Sequence, residues 1–142
     1  MTVAAIIERD GHFLLVEERV DGKRVYNQPA GHLEDGESLL DAVVRETLEE
    51  TARDFRPAAV TGIYRWRHPH RQVTYLRVAF AGEALAHRPD YTLDPDIEQA
   101  VWMDHNEIVQ RQDELRSPLV RRCIDDYLAG AAYPLTLLAD VE

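Results

Sequence analysis

Between residues 31 and 50 the chain reads Gly31-His32-Leu33-Glu34-Asp35-Gly36-Glu37-Ser38-Leu39-Leu40-Asp41-Ala42-Val43-Val44-Arg45-Glu46-Thr47-Leu48-Glu49-Glu50. A glycine-containing loop gives way here to a helical period. Residues 38–53 carry Leu40, Val44, Thr47, Leu48 and Thr51 on one flank, with the charged residues elsewhere. Glu46, Glu49 and Glu50 then fall at i, i+3 and i+4, so their carboxylates project from one face. Like charges at that spacing cost roughly 0.2–0.5 kcal/mol per pair. They also sit in the last turns, where the negative end of the macrodipole opposes acids by about 0.3–1 kcal/mol each at exposed sites. One bound divalent cation reverses the sign of all these terms. An isolated Glu-Glu pair is most simply a solvated acidic face, but here the surroundings favour a ligand set. Carboxylates are hard donors suited to Mg²⁺ or Mn²⁺. Gly31 lets backbone turn tightly and bring a carbonyl close. Arg45 lies beside Glu46, where it can neutralise Glu37.

The spacing Gly31-x5-Glu37-x7-Arg45-Glu46-Thr47-Leu48-Glu49-Glu50 resembles the Nudix box, the signature of hydrolases acting on nucleoside diphosphates linked to another moiety. The resemblance implies that Glu46, Glu49 and Glu50 bind the catalytic cations, assisted by the Gly31 carbonyl, and that Glu37 and Arg45 form a structural ion pair. It implies a catalytic base that is either a box glutamate or an acid from a distant loop. Glu98, just before a strand-like segment, is the candidate for the second. Thr47 stands where the family has an aliphatic residue, and Ala52-Arg53 where it has Gly and an aliphatic. Since Gly commonly ends a helix in the left-handed conformation and Ala there costs roughly 1 kcal/mol, the helix is expected to extend slightly or to exit differently.

Outward from the box, residues 3–7 and 12–18 flank Asp10-Gly11, and Asp21-Gly22 separates the second run from residues 24–27. Both read as antiparallel hairpins. Gln28-Pro29-Ala30-Gly31-His32 is expected to break regular pairing. Residues 58–66 and 73–82 read as strands joined by the loop Arg67-His68-Pro69-His70. Residues 83–95 read as irregular and 99–103 as a short strand. Helices are expected over 105–113 and 117–129, the second capped by Ser117 with Pro118 at its first position. Strands first and flanking helices after predict an α+β class, not a doubly wound parallel sheet. The Nudix resemblance sharpens this to a mixed β-sheet sandwiched between helices (α/β/α), expected as one domain over residues 1–142.

The 142 residues are 45% hydrophobic, enough for one core without disulfides. Acids outnumber bases 26 to 16, for a net charge of −10, which argues against a nucleic acid polymer as partner. A small phosphorylated substrate remains compatible where a cation supplies positive charge. The single cysteine, Cys123, excludes an internal disulfide and reads as a buried helical thiol. No run approaches the roughly 20 apolar residues of a membrane span. A cytoplasmic monomer or homodimer is the expectation.

Three segments outside the helix, Asn27–Glu34, Leu115-Arg116-Ser117-Pro118-Leu119-Val120 and Tyr133-Pro134-Leu135, resemble one bacterial phosphatase subgroup of the Nudix family. That resemblance implies release of inorganic phosphate from nucleoside di- and triphosphates, and action on hydroxymethylpyrimidine diphosphate and thiamine diphosphate. The alternative is an ADP-ribose or nucleotide-sugar pyrophosphatase. A non-catalytic nucleotide-binding sensor would be expected to lack a box glutamate, and none is missing. For recognition, Asn27 and Gln28 can hydrogen-bond a base edge, and Tyr26 or Trp66 can stack on a ring. Arg77, inside an apolar strand, either binds phosphate or forms an internal salt bridge. His68 and His70, with a proline between them, read as loop residues and not ligands. Arg116 and Ser117 read first as helix capping. Residues 129–142 either pack on the domain or cover the site.

Overall fold

The computed structural model describes residues 1–141. Among them are seven strands: β1 (Thr2–Arg9), β2 (His12–Val20), β3 (Lys23–Asn27), β4 (Ala30–His32), β5 (Arg53–Arg67), β6 (Thr74–His87) and β7 (Ile97–Asp104). Helix α1 (Leu39–Thr51) lies between β4 and β5, while α2 (His105–Gln110) and α3 (Pro118–Leu128) follow β7.

Both Asp-Gly pairs turn as their sequences demand, with positive φ at Asp10, Gly11, Asp21 and Gly22. The first hairpin is paired only at Glu8–Phe13 and Arg9–His12 before its strands part. β1 then runs parallel to β6 and antiparallel to β4, while β2 takes β3 and β7 on its two edges. A mixed β4-β1-β6-β5 sheet is thus joined through one hairpin to an antiparallel β3-β2-β7 sheet.

Helices on both faces explain why β1 is a continuous apolar run and not an alternating one. Val3, Ala5 and Ile7 pack with Ala42 and Val43 of α1 and with Phe80. Ile6 points the other way, with Phe13, Leu15, Ile108 of α2 and Ile124 of α3. The α+β sandwich expected from the sequence is the architecture observed. Cys123 is fully buried in the second of these clusters.

Several boundaries differ from expectation. Gln28-Pro29 interrupts pairing, but Ala30–His32 rejoins the sheet as β4, antiparallel to β1. β5 and β6 are longer than predicted, because their mutual pairing absorbs register shifts near Phe55, Ala59 and Gly62 and continues as far as Arg53–His87. The predicted 105–113 helix ends at Gln110 and gives way to a 3-10 turn at Gln112–Glu114. Helix α1 ends at Thr51, one residue past Glu50. Ala52 takes the left-handed conformation itself (φ 58°, ψ 29°), and its N–H donates to the Leu48 carbonyl. The carbonyl of Ala52 in turn accepts from Arg88 N at 2.7 Å. Thr47, fully buried, satisfies its hydroxyl by donating to the Val43 carbonyl at 2.8 Å. Beyond α3, Tyr133 exchanges two backbone hydrogen bonds of 2.8 Å with Val60 of β5, and Leu135 and Leu138 pack on the α1-side core. The tail through Leu138 therefore packs on the domain, and Asp140 and Val141 line a pocket with residues 33–37 of the loop before α1.

Candidate active site

Ser38 starts α1 by accepting a hydrogen bond from Asp41 N, which fixes the phase of the helix and the direction of its acids. Glu46 and Glu50 are both buried, at 8% exposure, and Glu49 is half-buried. β4 lies against them. A Cβ at Gly31 would stand 2.1 Å from the Glu46 carboxyl carbon and 2.3 Å from each oxygen, so only glycine lets the strand approach this closely. Ala30 N donates to Glu50 Oε1 at 2.9 Å. That single bond does not offset the rest of the environment: burial, with the charges of Glu46, Glu18 and Asp94, pushes the Glu50 carboxyl up to about 9. Burial likewise raises Glu46, against the pull of Arg45.

Arg45 holds the loop to the helix. Its Nε and Nη2 donate to Glu37 at 2.6 and 2.9 Å, and Nη2 also reaches the His32 carbonyl at 3.1 Å. Its Nη1 donates to Glu46 Oε1 at 2.8 Å and Glu49 Oε1 at 3.1 Å. The guanidinium holds the Glu37 carboxyl below the usual carboxylate range. The expected Glu37–Arg45 pair is present, and Arg45 is also a cation spanning two of the box acids.

A residue that sequence reasoning missed completes the cluster. Carboxylate oxygens of Glu46, Glu49 and Asp94 lie within 4.8 Å of one another. Asp94 is tied there by its backbone N, which donates to the Glu49 carbonyl at 3.0 Å. Glu98 is half exposed and pairs with Arg19 at 3.4 Å, so the structure brings Asp94 and not Glu98 to the glutamates. The available signal was the acid-rich Asp94-Pro95-Asp96 just ahead of β7. All donors of this set are carboxylate oxygens, Glu46 is buried, and the Gly31 backbone is pressed against it. The set fits a hard divalent cation such as Mg²⁺ or Mn²⁺.

Most of the predicted recognition residues are structural. Gln28 is 1% exposed; its Nε2 donates to the Val120 carbonyl at 2.6 Å and its Oε1 accepts from Arg77. Arg77 is buried and bonded to Gln28 at 2.8 Å and Asn27 at 3.3 Å, and its Nε has no hydrogen-bond partner. No acid pairs with Arg77 among the described residues, so the internal salt bridge is not formed; the neutral amides of Gln28 and Asn27 take its Nη1 and Nη2 instead. Asn27 is spent on the same contact. Tyr26 is buried under the Arg24 and Arg111 guanidiniums, at 5.6 and 5.7 Å from the ring centre, and donates its hydroxyl to Glu17. It has no open face for a ring. Trp66 differs: half-buried and stacked on Tyr75, it lines a cavity of about 660 Å³ with His68, Leu115, Arg116 and Ser117. Ser117 caps α3 as expected, but Arg116 does not; its guanidinium pairs with the buried carboxylate of Glu18.

Comparison with known proteins agrees with this geometry. The NUDIX domain family matches residues 1–123. Phosphatase NudJ of Escherichia coli strain K12 is 40% identical over 140 residues, covering 99% of this chain and 90% of that protein, and NudJ of Shigella flexneri is similar to the same extent. A solved structure described as a NUDIX hydrolase from Nitrosomonas europaea superposes with a TM-score of 0.96 at 48% identity, over 99% of this chain and 95% of that one. The carboxylate face of α1, the Arg45 clamp, the glycine contact and these likenesses agree, and the chain belongs to the Nudix hydrolase family.

Proposed function

We propose that this Nudix hydrolase is a phosphatase that cleaves phosphoanhydride bonds of nucleoside di- and triphosphates and of thiamine-type diphosphates, releasing inorganic phosphate. The observation that carries the reading is the burial of Glu46 and Glu50 beside Glu49 and Asp94, with one guanidinium among them. Such a site is electrostatically unsatisfied alone and suits a densely negative substrate only together with bound cations. Glu46, Glu49 and Glu50, with the Gly31 carbonyl, would hold Mg²⁺, for which Mn²⁺ can substitute. Bound there, the ion would neutralise the pyrophosphate and acidify the attacking water. The backbone bond from Asp94 N to the Glu49 carbonyl supports Asp94 in preference to Glu98 as the general base. Arg45 and Glu37 keep the loop seated on the helix. Similarity to Phosphatase NudJ over 99% of the chain supports phosphate release over pyrophosphatase chemistry. A cytoplasmic domain acting on small molecules, as monomer or homodimer, accords with the net charge of −10 and with the lack, among the described residues, of a helix long and apolar enough to cross a membrane.

Phosphorus NMR of reaction products in Mg²⁺ tests the proposal, with nucleoside di- and triphosphates, thiamine-type diphosphates and ADP-ribose as substrates. Inorganic phosphate from the unlinked diphosphates is the expected result, abolished by EDTA. Cleavage of ADP-ribose alone, to a nucleoside monophosphate and a sugar phosphate, would transfer the assignment to the pyrophosphatase reading.

A further inference from the structure

The cavity beside Trp66 is lined by none of the box residues. It lies between the β5–β6 hairpin tip, which supplies Trp66 and His68, and the segment that enters α3. Its volume of about 660 Å³ is within the range of small-ligand pockets. Three arginines, Arg116, Arg121 and Arg122, line it together with two aspartates, Asp113 and Asp125. Two are committed to their own helix, Arg121 to Asp125 at 3.3 Å and Arg122 to Asp126 at 2.9 Å.

Arg116 is the exception. Its backbone is pinned to the end of β3, where its N donates to the Tyr26 carbonyl at 2.8 Å and Leu115 bridges Tyr26. Its side chain pairs with Glu18 of β2, whose carboxylate is 10% exposed while the Arg116 side chain stays 43% exposed. The segment that follows Tyr26 continues to the box acids: Gln28 Nε2 donates to the Val120 carbonyl of α3 at 2.6 Å, and Ala30 N donates to Glu50 Oε1 at 2.9 Å. The segment over residues 26–30 therefore joins the entry of α3, with Arg116 and its partner Glu18, to the acids of α1.

We propose that the heteroaromatic ring of the substrate lodges in this cavity against Trp66, that Arg116 binds the phosphate nearest that ring along the chain (the one esterified to the ribose or alkyl arm), and that Glu18 is a positioning residue holding Arg116 at the junction with the acidic cluster. The inference rests on the phosphatase reading and adds an orientation to it. The ring-proximal phosphate stays on Arg116, and the distal phosphate reaches the glutamates and is the one lost. A planar ring and at least two phosphates become the minimal substrate. Inorganic pyrophosphate, without a ring, is a poor one.

The test separates binding from turnover. Trp102 is the second of two tryptophans, so a Trp102→Phe background leaves Trp66 as the sole tryptophan, excited selectively over the tyrosines. In EDTA, AMP, CMP and thiamine monophosphate are titrated, alongside adenosine, cytidine and thiamine. Trp66 fluorescence should respond to at least one nucleotide or thiamine phosphate. Arg116→Ala should weaken binding of that phosphorylated ligand tenfold or more and leave its unphosphorylated counterpart within twofold. Glu18→Gln should weaken the phosphorylated ligand by a smaller factor, and Arg116→Lys should restore part of the loss. In Mg²⁺, Arg116→Ala should raise KM for a nucleoside diphosphate by the same factor while inorganic phosphate remains the product. No Trp66 response to any phosphorylated ligand, or equal losses for both ligand forms, overturns the proposal. Discrimination without phosphate release would leave the cavity standing and sink the phosphatase. Phosphate release with Arg116→Ala unaltered would do the reverse.

Discussion

Gly31 and Glu46 are in contact across the loop–helix junction: a single added methyl on Gly31 would stand 2.1 Å from the Glu46 carboxyl carbon. The obstruction is the far end of a flexible side chain and not backbone. Gly31→Ala should therefore fold normally, with Glu46 swung aside. Displacement of a positioned group by about 1 Å costs on the order of a hundredfold in rate. The expected outcome is a circular dichroism spectrum and Tm close to wild type, Mg²⁺ binding weakened in calorimetry, and kcat reduced by about that factor. Full activity in this variant would mean that Glu46 is not held in place by the β4 backbone.

Glu50 sets a pH dependence. Its carboxyl is held far above its unfolded value, so the folded, cation-free protein keeps a proton that the unfolded chain releases. Stability in EDTA should accordingly fall as pH rises from about 4.5 toward about 9 and then level off. Added Mg²⁺ should remove much of that fall. Glu50→Gln should flatten the same slope and raise Tm in EDTA at pH 8 by roughly 4 °C or more, while turnover drops by orders of magnitude. Thermal denaturation across pH, with and without Mg²⁺, reads both effects.

Asp94 and Glu98 make opposite predictions. Asp94→Asn should lower kcat by roughly 10²-fold or more, the scale of a lost general base. Glu98→Gln breaks only an exposed pair with Arg19 and should change kcat by less than about twofold. Steady-state kinetics on one nucleoside diphosphate would return the assignment to Glu98 if the order were reversed.

Ala52 ends α1 in a conformation that suits glycine. Ala52→Gly should stabilise the protein by about 1 kcal/mol, or roughly 4 °C in Tm, with activity unchanged. A loss of stability would show that the buried Ala52 methyl contributes more than the backbone conformation costs.

Much of the site was legible because its signal is local. A helical period, three acids on one face and an arginine eight residues after Glu37 place themselves once the helix forms, and the two Asp-Gly turns fix their hairpins in the same way. Asp94 was not legible, since its position depends on a backbone bond to Glu49 made through tertiary structure. Asn27, Gln28 and Arg77 misled for a related reason. Their polarity suggested a ligand, whereas β3, β6 and α3 converge on them and satisfy most of that polarity internally. The glycine expected after the glutamates was absent, and only the structure shows that Ala52 adopts its conformation regardless.

The pairing of Tyr133 with Val60 has a consequence for self-association. β5 is the last strand on its side of the sheet, and an outer strand with free N–H and C=O groups is a template for another chain. Here part of that template is occupied by residues beyond the segment that the NUDIX domain matches, with Leu135 and Leu138 anchoring them to the core. The stretch after α3 thus covers part of the β5 edge at Val60, with residues that lie beyond the segment the NUDIX family matches.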